Sequence, residues 1–394
     1  MNTNDMIVDV DLPERPCIKK TIYVNDIFIN TRNRGYYIYG ELESDSQFLI
    51  PAKQKAEMDK LIEKLDGKHT IDDISEEVGC SQQEIEKMVQ LLLTKNMIKG
   101  YNSQESNNFN EVEKISLFLI NYHFKNLKNK DKWKTTGNIF YWCAITLFLI
   151  NIFFFIGFNV SSQFSIFKGR SFFDWLSYGS GSLNEIKGYL LINCGMVIMF
   201  LFHEMGHILA GAKAGIQPYN FAFVLYLGFM PMFYVKNKNI YSLKRKDICR
   251  VLLAGVGVNI LLASILFNMY FLTSIEIMKI LAISNIRMTL INIIPLSLSD
   301  GYFLFCVLLR KPNLRYKYHK FFYQPSNILS YSKTECVYII CALITSLAML
   351  EMEIIWITEI FHLCYSKKLI AYIVSCFAYF VFLHVQNEKR FKQK

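Results

Sequence analysis

The chain has 394 residues and a formal net charge of +10, with 52% of its residues hydrophobic and 15% aromatic. Together with a positive mean hydropathy, these fractions exclude an ordinary soluble domain for most of the length and predict a multi-pass membrane protein. The basic residues concentrate beside hydrophobic segments, so the charge reads as cytoplasmic membrane flanks and no nucleic-acid partner is expected.

Nothing near Met1 combines a basic start with a short apolar segment, so the N-terminal hundred residues are expected to stay on the side of synthesis. Within residues 20–50, the runs "TIYVN", "IFIN", "YYIYG" and "QFLIPA" predict short strands separated by polar or glycine-containing turns. A helical pattern follows. "AEMDKLIEKLDGK" has apolar residues at helical spacing, Thr70 caps "TIDDISEEVG", and Ser81 with Glu84 opens "SQQEIEKMVQLLLTKNMI" as a capping box. A small sheet followed by three helices is a winged-helix-like module. Between residues 57 and 99 ten acids face six lysines, the wrong balance for a DNA backbone. A peptide-binding role and a purely structural one both remain open at this point. The stretch 110–127, "NEVEKISLFLINYHFKNL", is amphipathic and is expected to lie along the membrane surface as a connector.

Six apolar stretches reach the roughly 20 residues needed to cross a bilayer, near 138–158, 188–210, 250–272, 275–296, 335–357 and 369–387. If they alternate, the basic segments "KNLKNKDKWK", "KNKNIYSLKRKDICR", "RKPNLRYKYHK" and "NEKRFKQK" fall on one side, which places both termini in the cytoplasm of a cell-membrane protein. Lys168, Arg170, Lys187, Lys367 and Lys368 fall on the other side. Residues 352–365, with Glu353, Glu359 and His362, read as spanning or interfacial. Between the second and third spans, "QPYNFAFVLYLGFMPMFYV" is broken by Pro218, Gly228 and Pro231, which predicts a re-entrant loop or short hairpin buried against helices. The ten cysteines form no CxxC pair and read as reduced packing residues.

The second span carries "HEMGH" at 203–207. Residues four apart on a helix lie one above the other, so His203 and His207 can direct two imidazole nitrogens at one metal ion while Glu204 faces a water. This is the pattern of zinc hydrolysis, with Glu204 as the proton carrier. A third ligand must come from elsewhere, since no acid follows Glu204 until Asp247, in a basic loop. The strongest candidate is Asp300 in "NIIPLSLSDGYF", at the inner end of the fourth span and level with the two histidines. Pro295 permits a break that turns Asp300 toward them. Asn292 either binds a substrate backbone or oxyanion, or ties down the broken helix. Two histidines and a carboxylate suit Zn2+ and also other divalent ions.

"HEMGH" at 203–207 and "NIIPLSLSDG" at 292–301 together resemble the paired motifs HExxH and NxxPxxxxDG of the site-2 protease family of intramembrane zinc metalloproteases. The resemblance implies His203, His207 and Asp300 as zinc ligands and Glu204 as catalytic base. A third family element, AGPxxN, is represented by "AGVGVN" at 254–259, with Val256 in place of proline, and it implies Asn259 as a substrate-positioning residue. The segment "PMFYVKNKNIYSLKRKDICRVLLAG" resembles the peptide zinc metalloprotease branch, found with modified ribosomal peptides. Pro231 and Tyr234 match its PxxYxD element, and Lys236 replaces the aspartate. Residues 65–98 resemble small domains that bind precursor peptides, such as the peptide chaperone of pyrroloquinoline quinone assembly, which capture a leader as an added strand.

The expected architecture is a multi-pass α-helical membrane protein of about six transmembrane helices with a small N-terminal α+β cytosolic domain. A winged-helix-like peptide-binding domain occupies 1–105, an amphipathic linker 106–136 and the membrane domain 137–394, with a zinc protease core at about 188–310. The expected partners are a ribosomal precursor peptide and the lipid bilayer. Two other readings stay open: regulated intramembrane cleavage of a membrane-anchored signalling protein, for which the loop at 159–187 is short, and a nonproteolytic immunity or export component that binds peptide.

Overall fold

A computed structural model of the chain describes residues 12–30, 32–42, 46–100, 116–124, 130–161, 186–226, 230–295, 299–323 and 331–344. Its N-terminal part is an antiparallel sheet in sequential order, β1 (Ile22–Ile29), β2 (Gly35–Glu41) and β3 (Gln47–Pro51), followed by helices α1 (Lys55–Lys64), α2 (Ile71–Val78) and α3 (Gln82–Thr94). This is the expected sheet and three helices. Both anticipated caps form: the Thr70 and Ser81 backbone N–H groups donate to Asp73 and Glu84 at 2.9 and 3.0 Å. On α3 the buried residues Ile85, Val89, Leu92 and Leu93 make one helical stripe, packed with Tyr39 and Phe48 of the sheet.

The runs "TIYVN" and "IFIN" are one strand, β1, whose register shifts between Asn25 and Phe28. The Asn25 side chain explains the irregularity. Its Oδ1 accepts from the Ile27 N–H at 3.2 Å, and its Nδ2 donates to the Tyr241 and Leu243 carbonyls at 2.7 and 2.8 Å. A bulge thus re-aims one polar side chain at a distant segment.

Three helices, α4 (Lys130–Ser161), α5 (Ile186–Ala214) and α6 (Arg245–Thr273), contain segments long and apolar enough to cross a membrane. Phe140, Trp142, Leu149 and Phe153 on α4 are exposed, a surface suited to lipid. The fourth expected span corresponds to α7 (Glu276–Ile293), whose 18 residues cover about 27 Å, short of a typical hydrocarbon core. It also buries Lys279, Asn285 and Thr289 against its neighbours. Two short helices follow, α8 (Asp300–Leu309) and α9 (Leu314–Tyr323), and residues 333–344 are helical. The fifth expected span is described only to residue 344. The sixth span, residues 352–365 and nearly all of the 159–187 loop lie outside the described residues.

The segment broken by proline is the expected hairpin, β5 (Pro218–Tyr226) and β6 (Met230–Asn237). One expectation is corrected beside it. Part of the supposed amphipathic connector is a strand, β4 (Ser116–His123), which pairs with β5 to give the order β4-β5-β6. The physical reason is that a hairpin beside apolar helices leaves backbone donors and acceptors on its outer edge, and β4 satisfies those of β5.

The N-terminal sheet is built into the rest of the fold. Ile27, Phe28 and Ile38 share one core with Ile248 of α6, Tyr302, Cys306 and Val307 of α8, and Leu314 of α9. Asn239 Nδ2 donates to the Leu42 carbonyl at 2.5 Å, and the Arg310 guanidinium donates to the Ile29 carbonyl.

Candidate metal centre

The α5 helix carries His203, Glu204 and His207, and its crossing with α6 is unusually close. A Cβ on Gly206 would lie 2.8 Å from Val258 Cγ2 and 2.9 Å from the Ala254 carbonyl oxygen, so glycine permits the approach. Across from it, Gly255 of α6 faces the imidazoles: a Cβ there would lie 2.5 Å from His203 Nε2 and 2.6 Å from His207 Nε2. The absent side chain leaves room for the two rings.

The third member arrives after a break. Helix α7 ends at Ile293, Ile294 is extended, and α8 restarts at Asp300 with Ser299 as its N-cap. Ser299 Oγ donates to the Ile294 carbonyl at 2.6 Å and accepts from the Tyr302 N–H at 3.2 Å, which joins the two helix ends. Gly301 has no room for a side chain, because a Cβ would fall 2.1 Å from the Ile293 carbonyl oxygen and 2.8 Å from that of Asn292. The DG pair thus supplies a carboxylate and the closeness that aims it.

His203 Nε2, His207 Nε2 and Asp300 Oδ2 form a nearly equilateral triangle, with sides of 3.2 Å between the nitrogens and 3.1 Å from each nitrogen to the oxygen. Tetrahedral coordination at about 2.0–2.1 Å places neighbouring ligand atoms about 3.3 Å apart. The triangle is close to one face of such a tetrahedron. His207 Nδ1 lies 2.8 Å from the Val251 carbonyl, which can only accept, so the ring proton sits on Nδ1 and Nε2 keeps its lone pair for the centre. Lone pairs and a carboxylate converging on one point repel unless a cation or a shared proton lies among them. Among the described residues, these three are the one group of histidine, cysteine and acidic side chains close enough to hold a metal ion, and both histidines are buried.

Glu204 is half-buried, and its carboxylate lies toward the Val235 backbone N–H of β6. The sheet register explains how that N–H is available. Phe124 N–H donates to the Tyr219 carbonyl, so the odd-numbered residues of β5 bond to β4 and the even-numbered ones to β6. Ala222 and Val224 pair with Tyr234 and Met232, which turns the backbone groups of 231, 233 and 235 away from β5. Pro231 falls on this outward set, where a residue without an N–H costs no ladder bond. The outer edge of β6 therefore faces α5. Asn237, at the end of the strand, donates from Nδ2 to the His207 carbonyl at 3.5 Å.

The two remaining sequence candidates are placed differently. Asn259 lies one turn beyond Gly255 on α6 and is fully buried; both polar atoms of its side chain lack a hydrogen-bond partner, while its carbonyl accepts from Asn285 Nδ2 at 2.9 Å. An unpaired amide in such surroundings marks a place for a polar ligand group. Asn292 sits in the last turn of α7, half-buried, with its carbonyl against Gly301. Lys236, at the position where the branch motif has aspartate, lies over the Tyr219 ring, 5.3 Å from its centroid. Sequence reasoning missed Gly206, Gly255, the Val251 carbonyl and the Val235 N–H; only the glycines, spaced for a close helix crossing, left a readable signal.

Comparison with protein-family models, curated proteins and solved structures gave no match for this chain.

Proposed function

We propose that the protein is a membrane-embedded zinc metalloendopeptidase of the site-2 protease type, acting on a ribosomally made precursor peptide near the cytosolic side of the membrane. In this reading the chain crosses the membrane about six times with both termini in the cytoplasm. The observation that carries the proposal is the convergence of His203, His207 and Asp300 on one point, with Glu204 on the adjoining face of α5.

His203, His207 and Asp300 would hold the ion. Zinc, when bound, supplies Lewis acidity that polarises the scissile carbonyl and makes water a nucleophile at neutral pH. Glu204 accepts the proton released as water attacks and returns it to the leaving nitrogen. The Val235 N–H holds that carboxylate in place, and the unpaired Asn259 amide is a partner for the substrate's backbone. Cleavage requires an extended peptide, because a helix hides its carbonyls in its own hydrogen bonds. With Pro231 lacking an N–H and the Val235 N–H turned to Glu204, the Phe233 N–H and the outward carbonyls of β6 are the groups that can pair with such a strand. On the cytosolic side, β1 is committed to the membrane-proximal core, and among the described residues no strand pairs with the far side of β3, the edge a leader peptide would join.

The experiment is mass spectrometry of small peptides co-purified from native cells with wild-type and Glu204→Gln protein, with zinc measured on both. The expected result is full-length peptide on the variant, fragments with the wild type, and zinc near one per chain in each. Identical intact peptide on both would overturn proteolysis in favour of a binding or export role.

A further inference from the structure

We infer that the N-terminal module is a positioning element of the metal centre: its β1 strand seats α8, and α8 carries the Asp300 carboxylate. This rests on the reading of His203, His207 and Asp300 as metal ligands.

The argument begins with the length of α8. A helix of ten residues has little stability of its own, so its orientation is set by what it packs against. Tyr302, Cys306 and Val307 form one buried stripe, and they belong to the same core as Phe28 and Ile27 of β1. The C-terminal end is pinned from two directions. Arg245, at the start of α6, donates to the Val307 carbonyl at 3.1 Å and to the Leu308 carbonyl. Arg310, in the left-handed conformation at φ 55°, sends its guanidinium to the Ile29 carbonyl of β1.

The same strand grips the loop that leads into α6. Both bonds from Asn25 Nδ2 end on the Tyr241 and Leu243 carbonyls, and the Phe28 ring lies 6.2 Å from that of Tyr241. The module thus touches both elements that meet at the site: α8, which bears Asp300, and the entry to α6, which bears Gly255 and the Val251 carbonyl. Ten residues of helix cover about 15 Å, and a tilt at the seated end displaces the carboxylate at the other. Groups that orient a ligand from outside the coordination sphere typically alter metal affinity by about 10- to 100-fold.

The test uses the full chain in detergent. Zinc affinity by competition with a chelator and hydrogen exchange across 300–309 are measured for the wild type, for Asn25→Ala/Phe28→Ala, and for Thr70→Ala, a cap on α2 outside the shared core. Expected are about 10-fold weaker zinc binding and faster exchange in α8 for the double variant, with wild-type values for Thr70→Ala. The proposal is overturned if limited proteolysis shows the module released while zinc affinity and α8 exchange stay at wild-type values. Should the double variant not fold, Arg310→Gln is expected to shift both readouts in the same direction by a smaller factor, and no shift in either would overturn the inference. Faster α8 exchange in a protein that holds no zinc in any form would uphold the link from module to α8 and sink the metal reading.

Discussion

Gly255 stands so close to His203 that a methyl group on its Cα would lie 2.5 Å from Nε2. In Gly255→Ala the helix itself should gain, since alanine is favoured over glycine by roughly 1 kcal/mol in a helix interior. The imidazoles should be displaced, and the metal content of the purified protein should fall well below that of the wild type while its thermal midpoint holds. Elemental analysis decides the matter, and a wild-type metal content in the variant would refute the steric argument.

A proline at 235 removes the N–H that reaches Glu204 without removing a bond to β5, because that N–H points away from the ladder. Val235→Pro should therefore keep the β4-β5-β6 sheet and lower kcat by about 10- to 100-fold, the scale of losing a group that orients a catalytic residue, with little change in KM. Steady-state cleavage of the peptide identified with Glu204→Gln supplies the readout. A kcat equal to wild type would remove Val235 from the machinery.

Asn259 invites a change with opposite effects on stability and turnover. Its buried amide has no partner, so replacement by leucine relieves a desolvation cost of about 1 to 3 kcal/mol. Asn259→Leu should unfold at a higher temperature than the wild type and process substrate more slowly. Equal or faster processing by the variant would show that the amide has no part in handling the peptide.

The three residues of the candidate metal centre were legible in the sequence because their chemistry is local. Two histidines one turn apart announce themselves, and Pro295 before Asp300 signals the break that the helices α7 and α8 display. The caps at Thr70 and Ser81 were readable for the same reason, as each depends on four consecutive residues. What escaped notice depends on residues far apart in the chain. "SLFLINYH" has apolar residues at spacings compatible with either an amphipathic surface segment or a strand, and its pairing with β5, a hundred residues later, decides the outcome. Backbone groups such as the Val235 N–H and the Val251 carbonyl leave no trace in residue identity. The docking of β1 was hidden because Asn25 reads as a turn residue until its partners at 241 and 243 are known.

That docking makes the module a ruler. A domain on a flexible tether lets bound cargo reach the membrane through any slack available, whereas one fastened by Asn25, Arg310 and a shared core holds cargo at one height and angle. Under the proposed function, a peptide gripped at the β3 edge would have to span a fixed gap to Glu204. The number of residues between its recognition segment and its scissile bond, more than the side chains at the cut, would then set where it is cleaved.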